Sequence, residues 1–271
     1  CHHRSRSLPA ASGGSFTLII PGLEPLPVGP CELHLQIHAR PSRQVVAPLH
    51  VLPAPGRTVV RLAVEDGRLA SPDLAALCSS DSGSMAQVRA RWGEIQSQYD
   101  ALFAANLHPD HPVDRTVLFT RCRAWVVHRD YSQEVGVSCQ TGFRTDLGQR
   151  VRWDFMIPVG MGRQIPLAIT LEMAATGQGI VLRVHRAAGD TADEALADEV
   201  PVTLILRPDL ESRGCHQVTR ALDGSAAAFP SAVQALSDGF VFAPAGHRLI
   251  CRLEGGRFVS EPEWQYRVPY P

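Results

Sequence analysis

The amino-acid sequence predicts a mainly β protein: a large antiparallel β-sandwich, one prominent amphipathic helix and a smaller N-terminal β unit. Three observations carry this expectation. Short runs rich in Val, Ile, Leu, Phe and Thr recur between turn signals from residue 116 onward. Residues 31–38 alternate, with Leu33, Leu35 and Ile37 on one side and Glu32, His34, Gln36 and His38 on the other. A single segment, 84–106, places large apolar residues at three- and four-residue spacing.

Taken in order, residues 1–14 are polar and glycine-rich. Strands are expected over 16–20, 31–38, 45–52 and 57–64, punctuated by Pro21-Gly22, Pro53-Ala54-Pro55-Gly56 and Asp66-Gly67. They form a small module over 1–80. A helical segment and linker follow over 81–114. Ser84 and Gln87 match a capping box, Val88, Trp92, Ile95, Tyr99, Leu102 and Asn106 share one helical face, and Leu107-His108-Pro109 stops it. The sandwich then occupies 115–271, with strands over 116–127, 134–139, 150–159, 165–174, 179–185, 200–206, 239–242 and 248–253. Gly160-Met161-Gly162 and Thr176-Gly177-Gln178-Gly179 read as turns, the acidic stretch 187–199 as a loop or helical turn, and 208–230 as a long connection.

Composition narrows the chemistry. All 26 basic residues are arginine, set against 27 acidic ones. A chain without lysine has no P-loop phosphate grip, no pyridoxal-phosphate Schiff base and no kinase-type ATP lysine. The one asparagine, Asn106, precedes Leu107 and His108, so it is not a glycosylation acceptor. A net charge of −1 and a pI near 6.9 argue against nucleic acid or an anionic membrane as partner. No apolar run reaches the ~18–20 residues that span a bilayer. The seven cysteines are scattered without a CxxC pair, a poor disulfide framework and a poor zinc site. Buried thiols in a reducing compartment fit best, hence a cytoplasmic localisation, with no metal and no cofactor expected. The chain opens on Cys1 without a methionine and stops at Pro271, and it reads as a segment of something longer.

Among candidate groups, His34 and His38 share a strand face ~13 Å apart, too far to chelate one ion. Cys1-His2-His3 at the chain end is an adventitious metal binder at most. Glu94, Asp130, Glu134, Asp154, Glu172, Asp209 and Glu211 are the carboxylates considered for acid–base work, and no two stand at a fixed catalytic offset. The densest polar stretch, Arg207 to Arg220, contains Arg213 and His216. It suits either sugar hydroxyls and carboxylates, which planar guanidinium forks bind, or a network tying a long connection to the sandwich. The aromatic ending with Trp264 and Tyr266 suits either a sugar-stacking surface or, better, an anchor to a following domain.

These last two stretches carry a resemblance. Leu204-Ile205-Leu206-Arg207-Pro208, then Arg213, His216 and Thr219, then Glu263-Trp264-Gln265-Tyr266, resemble the N-terminal domain of bacterial glycogen debranching enzymes of the amylo-α-1,6-glucosidase type. So do Asp114 to Trp125, Arg152 to Val159 and Gly93 to Leu102, and the resemblance covers 84–271. It implies a supersandwich of the galactose-mutarotase-like kind ahead of an (α/α)6 barrel. That barrel carries the carboxylates that hydrolyse α-1,6 branches. It further implies a noncatalytic segment whose partners are that C-terminal domain of the same polypeptide and, at its rim, α-glucan. No catalytic residue carries over. Arg207, Arg213, His216, Trp264 and Tyr266 stand as carbohydrate-contact or interdomain candidates. Residues 1–80 have no counterpart and read as an added β-module. Two rival readings are an interaction module without sugar affinity and a mutarotase-style enzyme using His216 with a carboxylate.

Overall fold

The computed structural model describes residues 5–9, 15–19, 27–37, 41–51, 61–65, 69, 71–108, 114–146, 149–174, 178–188, 194–221, 224–244, 246–266 and 268. Cys1-His2-His3, His38, Pro109, Thr176-Gly177 and the expected turns at Pro21-Gly22, Pro53–Gly56 and Asp66-Gly67 lie outside the described residues.

The chain divides into two compact units, Cys1–Val60 and Arg61–Pro271. Among the described residues the first holds two antiparallel hairpins. β1 (Ser5–Pro9) pairs with β2 (Ser15–Ile19), and β3 (Gly29–Ile37) pairs with β4 (Arg43–Val51). Cys31 stands opposite Leu49 and Leu33 opposite Ala47. The alternation of β3 thus gathers apolar residues of both strands on one face, as a period-two register dictates.

The second unit is a two-layer antiparallel sandwich. Its first layer runs β5 (Arg61–Glu65), β11 (Gln140–Asp146), β12 (Arg150–Gly160), β13 (Arg163–Met173) and β14 (Ile180–Arg186), each hydrogen-bonded to the next. The other layer is built on the 14-residue strand β9 (Arg115–His128). Along one edge of β9 lies β15 (Thr203–Gly214). On the opposite edge β8 (Ala101–Asn106) pairs with its first half and β10 (Tyr131–Glu134) with its last residues. β7 (Met85–Arg89) and β6 (Ala75–Ser79) extend the sheet beyond β8. A short helix, Ser225–Ser231, leads into a three-stranded sheet of β16 (Val233–Leu236), β17 (Gly239–Phe242) and β18 (Leu249–Arg252).

The core lies between the two large sheets. Leu118, Cys122, Ala124 and Val126 of β9 share one hydrophobic cluster with Val151, Trp153, Phe155 and Ile157 of β12 and Ile165, Ile169 and Leu171 of β13. Alternate residues are buried along β12, along β13 except that Ala168 is covered too, and along β9 from Thr120 to Val126, which is the period expected of a sheet with one wetter face. Burying a side chain of the size of Ile or Phe is worth about 1.5–3 kcal/mol. The edge-on stack of Trp92 against Trp153, 4.9 Å between centroids at 70°, adds geometric specificity.

Four sequence expectations are corrected. The helix over 84–106 does not form: 85–89 and 101–106 are β7 and β8, joined by an irregular connection over 90–100. The residues at helical spacing are indeed buried for the most part, but by three different pieces of chain: Val88 by β7's alternation, Trp92 and Ile95 by the connection, Leu102 by β8. Ser84 is no helix cap. It is fully buried, and its hydroxyl accepts the backbone N–H of Asn106 at 3.3 Å. Second, the strand over 134–139 ends early: β10 stops at Glu134 and Val137–Cys139 is a 3-10 turn. Third, β15 does not stop at Pro208 but continues to Gly214, because it is an edge strand, where a missing N–H is tolerated. Fourth, residues 61–65 and 75–79, which fall inside the expected 1–80 module, form β5 and β6 in the sheets of the second unit.

Candidate polar cleft on the sandwich

The connection between β7 and β8 is held by side chains from distant parts of the chain. Asp100, 2% exposed, accepts hydrogen bonds from Gln87 Nε2 (2.9 Å), Arg89 Nε (2.7 Å) and Nη2 (3.0 Å), and the backbone N–H groups of Gln96 (2.7 Å) and Ser97 (3.0 Å). Gln140 of β11 bridges the first turn, donating to Ala90 O at 2.6 Å and accepting from Trp92 N at 2.9 Å. The indole N–H of Trp153 donates to Arg89 O at 3.0 Å. At the far end Arg213 donates to Gln98 O at 2.7 Å. These bonds stand in for the ladder a helix would have supplied, since buried backbone groups must find partners somewhere.

So fixed, the segment Trp92–Glu94 forms one wall of an open cleft of about 360 Å³. Arg121 and Arg123, on the outer face of β9, form its floor, and the stretch from Gln133 to Ser138 forms the other wall. The guanidinium groups are not free. Asp209 of β15 lies opposite Arg121 in register and accepts from Arg121 Nε at 2.6 Å and Arg123 Nη2 at 2.9 Å. Glu94 pairs with Arg91 at 2.8 Å. Behind the shared wall of Trp92, Gly93, Glu94 and Arg121 is a second, small chamber reaching to Thr120 and Trp153, with room for about one water. Four buried polar atoms among its lining residues lack a partner among the described residues: Arg91 Nε, Trp92 Nε1, Glu94 Oε2 and Thr120 Oγ1. Orphaned buried groups are rare and costly, and together they mark space for a small polar guest.

The five residues singled out from sequence fall into three places. Arg207 on β15 stands directly opposite Arg123, and Glu263 relieves the like-charge pair at 3.1 Å from Arg207 and 3.6 Å from Arg123. Arg213 is 5% exposed, paired with Glu211 and bonded to Gln217 O at 2.9 Å, a buried clamp. The exposed His216 meets Tyr99, its Nδ1 3.3 Å from the phenol oxygen and the rings edge to face at 5.7 Å. Trp264 packs on Phe229 of the short helix at 6.0 Å and on Tyr266 at 6.4 Å, while Tyr266 itself is 70% exposed. The cleft lining of Trp92, Glu94, Arg121 and Arg123 was not anticipated. The one sequence signal was the run of arginines at 121 and 123, whose period-two spacing puts both on one face of a strand.

Of the other carboxylates considered, Asp154 and Glu172 are engaged by arginine. Asp154 bonds Arg144 and Arg152, each at 2.7 Å. Burial pushes the Glu172 carboxyl up, but hydrogen bonds and charge from Arg150 and Arg183 outweigh it and hold it below the usual range. His34 pairs with Glu32 at 3.0 Å, both side chains exposed on β3. Among the described residues no three His, Cys, Asp or Glu side chains gather as metal ligands would. No helix of the described residues is long and apolar enough to cross a membrane.

An antiparallel sandwich with a polar cleft beside its edge strand is a scaffold shared by many functions. The family is given by the chain itself: residues 76–271 match the model for the glycogen debranching enzyme N-terminal region, and the chain belongs to that family. The match begins within β6 and takes in every cleft residue. No curated protein and no solved structure matches the chain.

Proposed function

We propose that this chain is the noncatalytic sandwich of a glycogen debranching enzyme of the amylo-α-1,6-glucosidase type. It supports a catalytic (α/α)6 barrel on the same polypeptide and contacts α-glucan. One observation supports the noncatalytic part above the rest: Asp154, Glu172, Asp209 and Glu211 each pair with at least one arginine. A carboxylate whose oxygens are held by guanidinium donors is not free to hand a proton to a glycosidic oxygen. His216, the centre of the mutarotase-style alternative, faces Tyr99 rather than a carboxylate. Arg207, Arg213, His216, Trp264 and Tyr266 act in this reading as interdomain or glucan-facing positions, with Arg213 as internal support. The N-terminal unit, Cys1–Val60, is an addition to the family domain, and the cytoplasm is the compartment. The test is to incubate the purified chain with a branched limit dextrin and with α-glucose. Neither released glucose nor faster mutarotation is expected, and either activity, abolished by His216→Ala, would overturn the noncatalytic assignment.

A further inference from the structure

We propose that the cleft between Trp92–Glu94 and the 3-10 turn is the place where the sandwich holds a single α-1,4-linked glucosyl unit. A water in the chamber behind it fixes the wall. This inference rests on the glucan-contact reading above. Charge and hydrogen-bond complementarity select the guest. Arg121 and Arg123 are already matched by Asp209, and Arg91 by Glu94, so an anion would have to displace a carboxylate. A cation would meet the two floor guanidiniums. A neutral hydroxyl meets no such conflict, because it donates to carboxylate and accepts from guanidinium at once. The cleft volume falls in the range of small-molecule sites, and its outer wall offers Ser138, which is exposed. Arg91 Nε, Trp92 Nε1, Thr120 Oγ1 and Glu94 Oε2 supply donors and acceptors for one trapped water.

Three variants and one titration test this. Glu94→Ala removes the wall carboxylate, Ser138→Trp fills the cleft from its exposed side, and Val181→Ala trims an exposed side chain on β14, in the other layer and away from the cleft lining. Each is first checked for an unchanged unfolding midpoint, so that if one variant fails to fold the other cleft variant still decides. Maltotetraose is titrated into each by calorimetry. Wild type and Val181→Ala should bind alike, and the cleft variants about tenfold or more weaker, the range expected when a hydrogen bond to a charged group is lost. If wild type binds and the cleft variants bind within twofold of it, the cleft is not the site, though the glucan-contact reading survives. If wild type shows no heat at millimolar ligand, the glucan-contact reading itself falls and this site with it.

Discussion

Replacing Asp100 by alanine should cost this protein about 3–5 kcal/mol. The figure follows from what Asp100 holds. Its carboxylate is nearly sealed from solvent and pairs with Arg89, whose side chain is only 10% exposed. Removing one member of a buried ion pair strands the other charge, at about 3–5 kcal/mol. The freed N–H groups of Gln96 and Ser97 add about 1–3 kcal/mol each if they stay buried. These costs overlap, because a relaxing loop admits water to all of them, so the ion-pair figure is the better total. With a urea m-value of about 2 kcal/mol/M the midpoint should fall by about 1.5–2.5 M.

The readout is unusually clean. Trp92, Trp125, Trp153 and Trp264 are all the tryptophans of the chain and all lie in the second unit. Fluorescence therefore follows the sandwich alone, which avoids the ambiguity of two-unit unfolding. Were 84–106 a surface helix, the same substitution would be neutral or slightly stabilising, since alanine is the best helix former. A loss below about 1 kcal/mol would refute the pinned-loop account. A double-mutant cycle with Arg89→Ala should show coupling of at least about 1 kcal/mol.

Two further outcomes are expected. Gly93 has φ +78° with open space around its missing Cβ, so Gly93→Ala should destabilise by about 1–2 kcal/mol through backbone strain alone; a helix would instead be stabilised by about 1 kcal/mol, and urea melts separate the two signs. Burial pushes the thiols of Cys78 and Cys251 up to about 11 and that of Cys122 to about 12, so at pH 8 their reactive thiolate is about a hundredfold or more scarcer than in an ordinary cysteine. Timed iodoacetamide labelling read by mass spectrometry should find them slow in the native state and fast in urea, and rapid native labelling of Cys122 would contradict its burial.

The legible parts of the fold were those where neighbours in sequence decide the outcome. β9, β12, β13 and β17 match their expected spans closely, because alternating burial and the turn at Gly160-Met161-Gly162 are local signals. That turn carries positive φ at all three residues, which two glycines make affordable to the backbone. The short strands β6, β7, β8, β11 and β16 escaped, being brief or, in β8, buried at every position, which erases alternation. The extension of β15 escaped because Pro208 is a stop signal only in a strand with neighbours on both sides.

The misread helix and the unanticipated cleft have one origin. What organises 90–100 is Gln140, 48 residues from Trp92, and Arg213, 115 residues from Gln98. No window of a dozen residues contains those partners, so local periodicity assigns the segment to the commonest element that buries every third or fourth residue. The buried carboxylate Asp100 was the clue available. An acid at the apolar boundary of a helix is a poor choice, while an acid that organises turning backbone N–H groups is a good one. Segments held by distant side chains can adopt shapes no regular element offers, which is why binding residues concentrate on such connections. The failure of the helical pattern at Gly93 and Asp100 therefore points to the cleft wall, and the two errors of reading are the same physical fact seen from the fold and from the site.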